Sequence, residues 1–418
     1  MKVTNNVLEK IKNNRFIINL IVLSLLYFVN IFWQGIVFVI ALYLLAITLL
    51  ETELNGMYYL SFSVAFVCIF KIGANLYMLL PISAIYMIKT LIKNFVIEKK
   101  PINKLLIYML IPFVIYLFMP IHAYNMFSIA KALIMVVLFI VLEFFIMNKD
   151  SINSTKLFYT FSVGIILSSV YGLFYSVSPF LQSSIPTRIY DGIIRFSGLL
   201  EHPNPFGILC MVGIVLLSYM LFCKDHKIIT LILMGALTMI GVFTLSKAFL
   251  IMVAVNYGVM WILLMKQNWK RGLIVLGVCV AGAGLFYLIF HSYINAILLR
   301  FVSSFIDQNA GLNLDQITSG RTTLWVTYMS KWVESPMAII FGYGLGTPRI
   351  GNVSIHNMFL AVLYEIGIVG FILFFGILTY QVIRLLKDEK INFHLAKLLP
   401  IITVILFSLS EDTLFYLF

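Results

Sequence analysis

Apolar residues in this chain neither alternate nor mark out single helical faces; they run on. Segments near 16–32, 35–50, 55–70, 74–92, 105–120, 124–147, 157–180, 205–223, 228–245, 248–265, 272–290, 356–380 and 398–418 are dominated by aliphatic and aromatic side chains, with short polar stretches between them. The segment 205–223 (PFGILCMVGIVLLSYMLFC) is continuously apolar over about the ~20 residues a helix needs to cross a hydrocarbon layer. The strands of a membrane barrel would alternate with period two, which these runs do not. Hydrocarbon offers no water to backbone groups, so such runs must satisfy their hydrogen bonds internally as α-helices. The pattern predicts an all-α polytopic integral membrane protein, a single transmembrane domain over 1–418 with about 12–14 transmembrane helices. The last segment is interrupted by Ser410, Glu411 and Asp412 and is expected to bend.

Composition agrees. With 62% hydrophobic and 11% charged residues, and a mean hydropathy of +1.03, the chain is no soluble domain, secreted disulfide scaffold or disordered polymer. Basic residues precede the first apolar run, as in a signal peptide, but no small-residue cleavage site follows, which predicts a retained first helix. Cys68, Cys210, Cys223 and Cys279 lie within or at the ends of apolar runs and read as small buried hydrophobes.

The net charge of +12 would suggest nucleic acid in a soluble protein. Here the cytoplasmic loops of a membrane protein account for it, and no nucleic-acid partner is implied. With the N-terminus inside, segments 1–15, 51–56, 89–104, 148–156, 224–227, 266–271 and 384–397 face the cytoplasm and hold 20 of the 29 Lys and Arg. Segment 51–56, with Glu51 and Glu53, departs from the trend. The other nine cations are Lys71, Lys131, Arg188, Arg195, Lys247, Arg300, Arg321, Lys331 and Arg349. Seven of them fall in three outer connections: the loop 181–204, the tight turn 245–248 and the long loop 291–355. Within that long loop, Ile294, Ile297, Leu298, Phe301, Val302, Phe305 and Ile306 predict one amphipathic helix. Leu324, Trp325, Tyr328, Met329, Trp332 and Val333 predict a second, ended by Ser335-Pro336, with two tryptophans suited to an interface.

Five short stretches could carry chemistry. Residues 188–205 (RIYDGIIRFSGLLEHPNP) bring Arg188, Arg195, Glu201, His202 and Asn204 together before a proline-started helix. By charge alone they equally describe a polar loop whose arginines meet lipid headgroups. Lys247 sits in a turn too tight to need a charge, with snorkelling as the competing reading. In TSGRTTLW (318–325), Ser319 could cap the following helix and place Arg321 at its positive end, which suits an anion. The glycines of GYGLGT (342–347) permit close backbone approach and are equally ordinary turn residues. His356 and Asn357 open the segment 356–380. An imidazole at a helix start meets the positive end of the dipole, and a neutral imidazole is what a general base must be. Glu143 and Glu365 are carboxylates within apolar runs with no assigned role.

The order Arg195-x-x-Gly198, Pro203-Asn204, Ser246-Lys247, Gly320-Arg321 with Trp325, Gly342-x-Gly344-x-Gly346, His356-Asn357 and Glu365-x-Gly367 resembles the O-antigen ligase/polymerase family, which includes the Wzy-type polymerases of capsules and exopolysaccharides. The resemblance covers roughly residues 190–380 and departs at Lys247, where the family often has Arg; charge is kept but the bidentate fork is lost. It implies a membrane glycosyltransferase without cofactor or metal. Its donor and acceptor would be undecaprenyl-diphosphate-linked oligosaccharides, and it would act at the outer face of the plasma membrane. Arg195, Arg321 and His356 would be catalytic. Lys247, Arg188, Arg349, Asn357, Glu201, His202 and Asn204 would bind substrate, with a flippase and a chain-length regulator as partner proteins. The connection Phe32-Trp33-Gln34 lacks the acidic residues that metal-dependent membrane glycosyltransferases carry in their first outer loop. Three other readings stay open: a ligase moving the glycan to another acceptor, a structural or scaffold membrane protein that would need none of the cation-histidine constellation, and a transporter of lipid-linked oligosaccharide. The transporter would be expected to show internal repeats and midplane charges.

The charge count makes one direct prediction. In a cysteine-free background, Asp191→Cys and Asp315→Cys should react with an impermeant thiol reagent in intact cells, while Lys99→Cys and Trp269→Cys stay protected. The reverse pattern would invert the topology.

Overall fold

In the computed structural model, the described residues are 2–51, 53–72, 76–99, 103–122, 125–148, 150–184, 189–190, 193–223, 227–270, 320–346 and 355–386, with isolated positions in 273–295 and 403–408. They form an all-α polytopic fold whose only strands are two minimal antiparallel ladders, Lys71–Ile72 with Leu76–Tyr77 and Ile189–Tyr190 with Ile193–Ile194. Among the described residues, six helices are long and apolar enough to span a membrane, and four shorter apolar ones of 10–17 residues accompany them. Eleven of the thirteen predicted segments coincide with helices. The segments 272–290 and 398–418, and the amphipathic stretch 294–306, lie largely outside the described residues.

The chain divides into two units, Met1–Ile102 with Met147–Ser246, and Asn103–Ile146 with Lys247–Phe418. The first contains α1 (Lys2–Phe32), α2 (Val37–Leu50), α3 (Glu53–Ser63, continued by a tight turn over Val64–Phe70), α4 (Leu79–Ile92), α7 (Ser154–Gly172), α8 (Pro179–Ser184), α9 (Pro203–Cys223) and α10 (Lys227–Val242). The second contains α5 (Lys104–Leu117), most of α6 (Met126–Asn148), α11 (Lys247–Gln267), α12 (Arg321–Val333), α13 (Pro336–Phe341) and α14 (Met358–Leu386).

Helix starts follow the side-chain chemistry that caps them. Asn103, Asn153 and Asn125 accept from the backbone N–H three residues on, at 3.3, 3.0 and 2.8 Å, and Ser178 and Ser335 do the same for α8 and α13. Each satisfies a donor that the first helical turn leaves without a partner.

The first unit is organised by a stripe of small residues on α7, spaced by four: Thr160, Gly164, Ser168 and Gly172. Such a stripe lets backbones meet directly, which matters where lipid offers no hydrophobic gain for helix association. A Cβ on Gly164 would lie 2.3 Å from the Phe62 carbonyl oxygen. Ser168 donates to the Ala65 carbonyl at 2.8 Å, and a Cβ on Gly172 would lie 2.7 Å from the Gly198 carbonyl. Around this contact Tyr27 stacks on Phe66 with ring centroids 4.3 Å apart and donates to Ser63 at 2.6 Å.

Charged side chains of this unit gather at its two ends. At one end Glu51 takes hydrogen bonds or an ion pair from Arg15, Asn19 and Asn55, Lys156 donates to Asn55, and Lys89 donates to the Leu49 carbonyl. At the other lie Lys71, Arg195, Glu201 and Thr244. The same holds in the second unit, where Glu143–Arg384 and Asn103–Tyr380 mark one end and Lys131–Glu365 the other.

Gly164→Ala should therefore lower stability by about 1–3 kcal/mol, because the α3 and α7 backbones must part. Gly376→Ala, in the interior of α14 with nothing within 4 Å of the added carbon, should raise it by about 0.5–1 kcal/mol. The unfolding midpoints of the two variants in detergent check both signs.

Candidate functional site

In the first unit the chain from Arg195 to Asn204 is a folded loop seated on the α7 stripe. Gly198 adopts φ 54°, where a Cβ would strike the Phe206 ring. Leu199 N–H donates to Ser168 and Ser197 Oγ to the Leu200 carbonyl at 2.8 Å. Phe196 N–H pairs with the Phe243 carbonyl at 3.0 Å. Arg195 is buried, 7% exposed. Its Nε donates to the Thr244 carbonyl at 2.9 Å and an Nη to Asn204 Oδ1 at 2.7 Å. A guanidinium so enclosed is no headgroup anchor; it ties the start of α9 to the turn after α10. Glu201 forms an ion pair with Lys71, and His202 is exposed beside it.

That turn is as tight as the sequence requires. Thr244 Oγ1 donates to the Gly241 carbonyl at 2.6 Å, Leu245 takes φ 53°, and Lys247 is the first residue of α11.

In the second unit α12 begins at Arg321, so the guanidinium sits on the first turn as expected. The cap differs from expectation: Gly320, at φ 82°, occupies it with no side-chain hydrogen bond, while Ser319 lies outside the described residues. Only glycine takes this left-handed backbone without strain. The tryptophans of α12 bind backbone carbonyls. Trp325 Nε1 donates to the Ile355 carbonyl at 2.9 Å and Trp332 Nε1 to the Ala338 carbonyl at 2.8 Å. Tyr328, Tyr343 and Tyr364 pack together, Tyr364 lying 4.9 and 4.8 Å from the other two ring centroids.

The Trp325 bond joins α12 to the residue before His356. His356 is half-buried and left-handed, φ 50°, a conformation that costs a non-glycine residue energy and concentrates at functional sites. Asn357 caps α14, its Oδ1 accepting from Leu360 N–H at 3.1 Å. Arg188 and Arg349 lie outside the described residues.

α14 is broken at Gly367 (φ 62°, ψ −172°), and the glycine loop lies against the break. Tyr343 and Gly344 N–H donate to the Tyr364 and Glu365 carbonyls, each at 2.9 Å, and Tyr116 Oη donates to the Ile366 carbonyl at 2.6 Å. A Cβ on Gly342 or Gly367 would fall 2.3 Å from backbone atoms across the contact. Glu365 pairs with Lys131 at 2.5 Å, a partnership no spacing in the sequence could suggest. On the loop's other side Leu345 N–H donates to the His122 carbonyl at 3.2 Å, and Ser128 Oγ to the Leu345 carbonyl at 2.6 Å. His122 is fully buried, its ring 4.6 Å from that of Tyr116.

Among the described residues no group of three His, Cys, Asp or Glu side chains is placed to hold a metal ion. The chain matches no family model, and no curated protein or solved structure is significantly similar to it.

Burial pulls the His122 imidazole down from 6.5 to about 4. Between those values the unfolded chain binds a proton that the folded one refuses, so stability is lost as pH falls through that window, by about 3 kcal/mol in all. His122→Phe should match the parent near pH 7 and exceed it in melting temperature near pH 4.5. A constant difference across that range would show that the ring is not desolvated.

Proposed function

We propose that this protein is a membrane glycosyltransferase that polymerises undecaprenyl-diphosphate-linked oligosaccharide repeat units at the outer face of the plasma membrane. The observation that carries the reading is the corner where α12 and α14 begin. There the Trp325–Ile355 hydrogen bond couples a helix N-terminus bearing Arg321 to a helix entry bearing His356. A helix N-terminus with a guanidinium accepts a phosphate, and an imidazole is the commonest general base.

In this reading the acceptor hydroxyl forms its new bond to the anomeric carbon as the bond from that carbon to the diphosphate oxygen breaks. His356 takes the hydroxyl proton. The electron pair leaves on the diphosphate, whose growing charge Arg321 and the α12 N-terminus stabilise. Lys247, also on the first turn of a helix, adds a point charge for the donor. The cations on the side that topology disfavours, and a polyprenyl donor that must stay in lipid, fit this chemistry.

Purified protein incubated with lipid-linked repeat units should give a ladder of chain lengths. His356→Ala should slow it by ~10²–10⁴-fold, and Arg321→Ala by about 30- to 1000-fold, with Arg321→Lys a poor substitute. Lys247→Arg should keep substantial activity and Lys247→Met lose most of it. A single glycan transferred to another acceptor, without a ladder, would identify a ligase instead. Parental rates in both His356→Ala and Arg321→Ala would overturn the mechanism.

A further inference from the structure

The break at Gly367 turns the start of α14 into a short arm, residues 358–366, with His356 at its entry and Glu365 near its far end. Nine residues of helix span about 14 Å. Because the backbone is not helical at Gly367, the rest of α14 does not orient this arm; its side contacts must. At the entry this is the Trp325–Ile355 bond, while the Tyr328–Tyr364 packing falls at the far end. Near the break they are the glycine loop, Tyr116, and the ion pair with Lys131 on α6. The two side chains of that pair are only 15% and 13% exposed. Water does little to screen such a pair, and its geometry is held closely.

We propose that Lys131 is a positioning residue for His356, acting through Glu365 and the arm between them; its catalytic consequence rests on the glycosyltransferase reading above. The second unit contains its own control. Glu143 and Arg384 form an ion pair of similar length, 2.6 Å, with Arg384 on α14 beyond the break. If ion pairs here merely hold helices together, breaking either should have the same effect. If Lys131 sets the arm, only the Lys131–Glu365 pair should be felt at His356.

The test is the rate at which diethyl pyrocarbonate modifies His356, followed by peptide mass spectrometry on full-length protein in detergent, beside polymerisation kinetics. In Lys131→Met and in the nearly isosteric Glu365→Gln, modification of His356 should change by about threefold or more. In Arg384→Met it should stay at the parental rate, and the charge-swapped Lys131→Glu/Glu365→Lys protein should return towards it. With lipid-linked donor, kcat should fall by about 10- to 100-fold in Lys131→Met, as for a reacting group misplaced by about an ångström, with KM little changed. If Lys131→Met does not fold, Glu365→Gln and the swapped protein decide the matter. Parental modification of His356 in Glu365→Gln, or an equal change in Arg384→Met, would overturn the proposal. A parent that transfers no glycan would overturn the glycosyltransferase reading alone, since the modification rates are read without turnover.

Discussion

A helix that breaks inside an apolar slab leaves carbonyls with no partner from its own next turn and no water to replace one. That constraint at Gly367 governs the second unit. The Tyr364, Glu365 and Ile366 carbonyls are taken up by Tyr343, Gly344 and Tyr116. This obliges the glycine loop to lie backbone to backbone against α14 and obliges α5 to stand beside it. The loop's remaining groups then fall to His122 and Ser128, so the connection between α5 and α6 is drawn in as well. At the other end of the arm, the Trp325 indole of α12 holds the Ile355 carbonyl. Glycines serve here because any Cβ at 342 or 367 would occupy space already held by backbone.

The first unit answers the same shortage of solvent with small residues in place of a break. Along α7 they let a helix, a tight turn and a loop approach one side of a single rod, and the last of them seats Gly198. From that seat the loop carries Arg195 into the interior, where a backbone carbonyl and an amide oxygen receive it. The guanidinium thus has a structural office whatever it contacts besides. Lys99, Leu245 and His356 are left-handed without being glycine; His356 is itself proposed for chemistry, and Leu245 lies two residues before Lys247.

Much of this was legible in the sequence because spacing within a helix, and the polarity of what separates helices, are local properties. Continuous apolar runs marked the helices; Lys and Arg placement separated Arg15, Lys89 and Lys156 from Lys71 and Arg195, as the ends of the first unit do. The turn before Lys247 and the helix start at Arg321 were equally local. Capping was harder, since Gly320 acts through a dihedral angle that no side-chain pattern announces. Asn357 was grouped with the ligand-binding residues, yet its side chain caps a helix. That the Trp325 and Trp332 indoles donate to backbone carbonyls could not be read from composition, which does not say where an N–H points. The departure at Glu51 was visible as an oddity, but its explanation lies in Arg15, Asn19 and Asn55. Pairs such as Lys71 with Glu201 and Lys131 with Glu365 are separated by 130 and 234 residues, far beyond any helical repeat, so each sequence position showed a charge and none its partner.

That last separation has a meaning for biogenesis. A ribosome adding about 5–20 residues per second needs roughly ten to fifty seconds to travel from Lys131 to Glu365. Throughout that interval the nascent α6 must enter the bilayer carrying an ammonium whose carboxylate has not yet been made. A lysine near the centre of an inserting helix costs about 2.5–3.5 kcal/mol, and less towards its end. The segment Ser128–Asn148 is equipped for this, with the highest mean hydropathy of the six candidate spans, 2.7. Its apolar surplus does more than anchor the finished protein, for it holds a charged helix in place until the far end of the chain arrives to meet it.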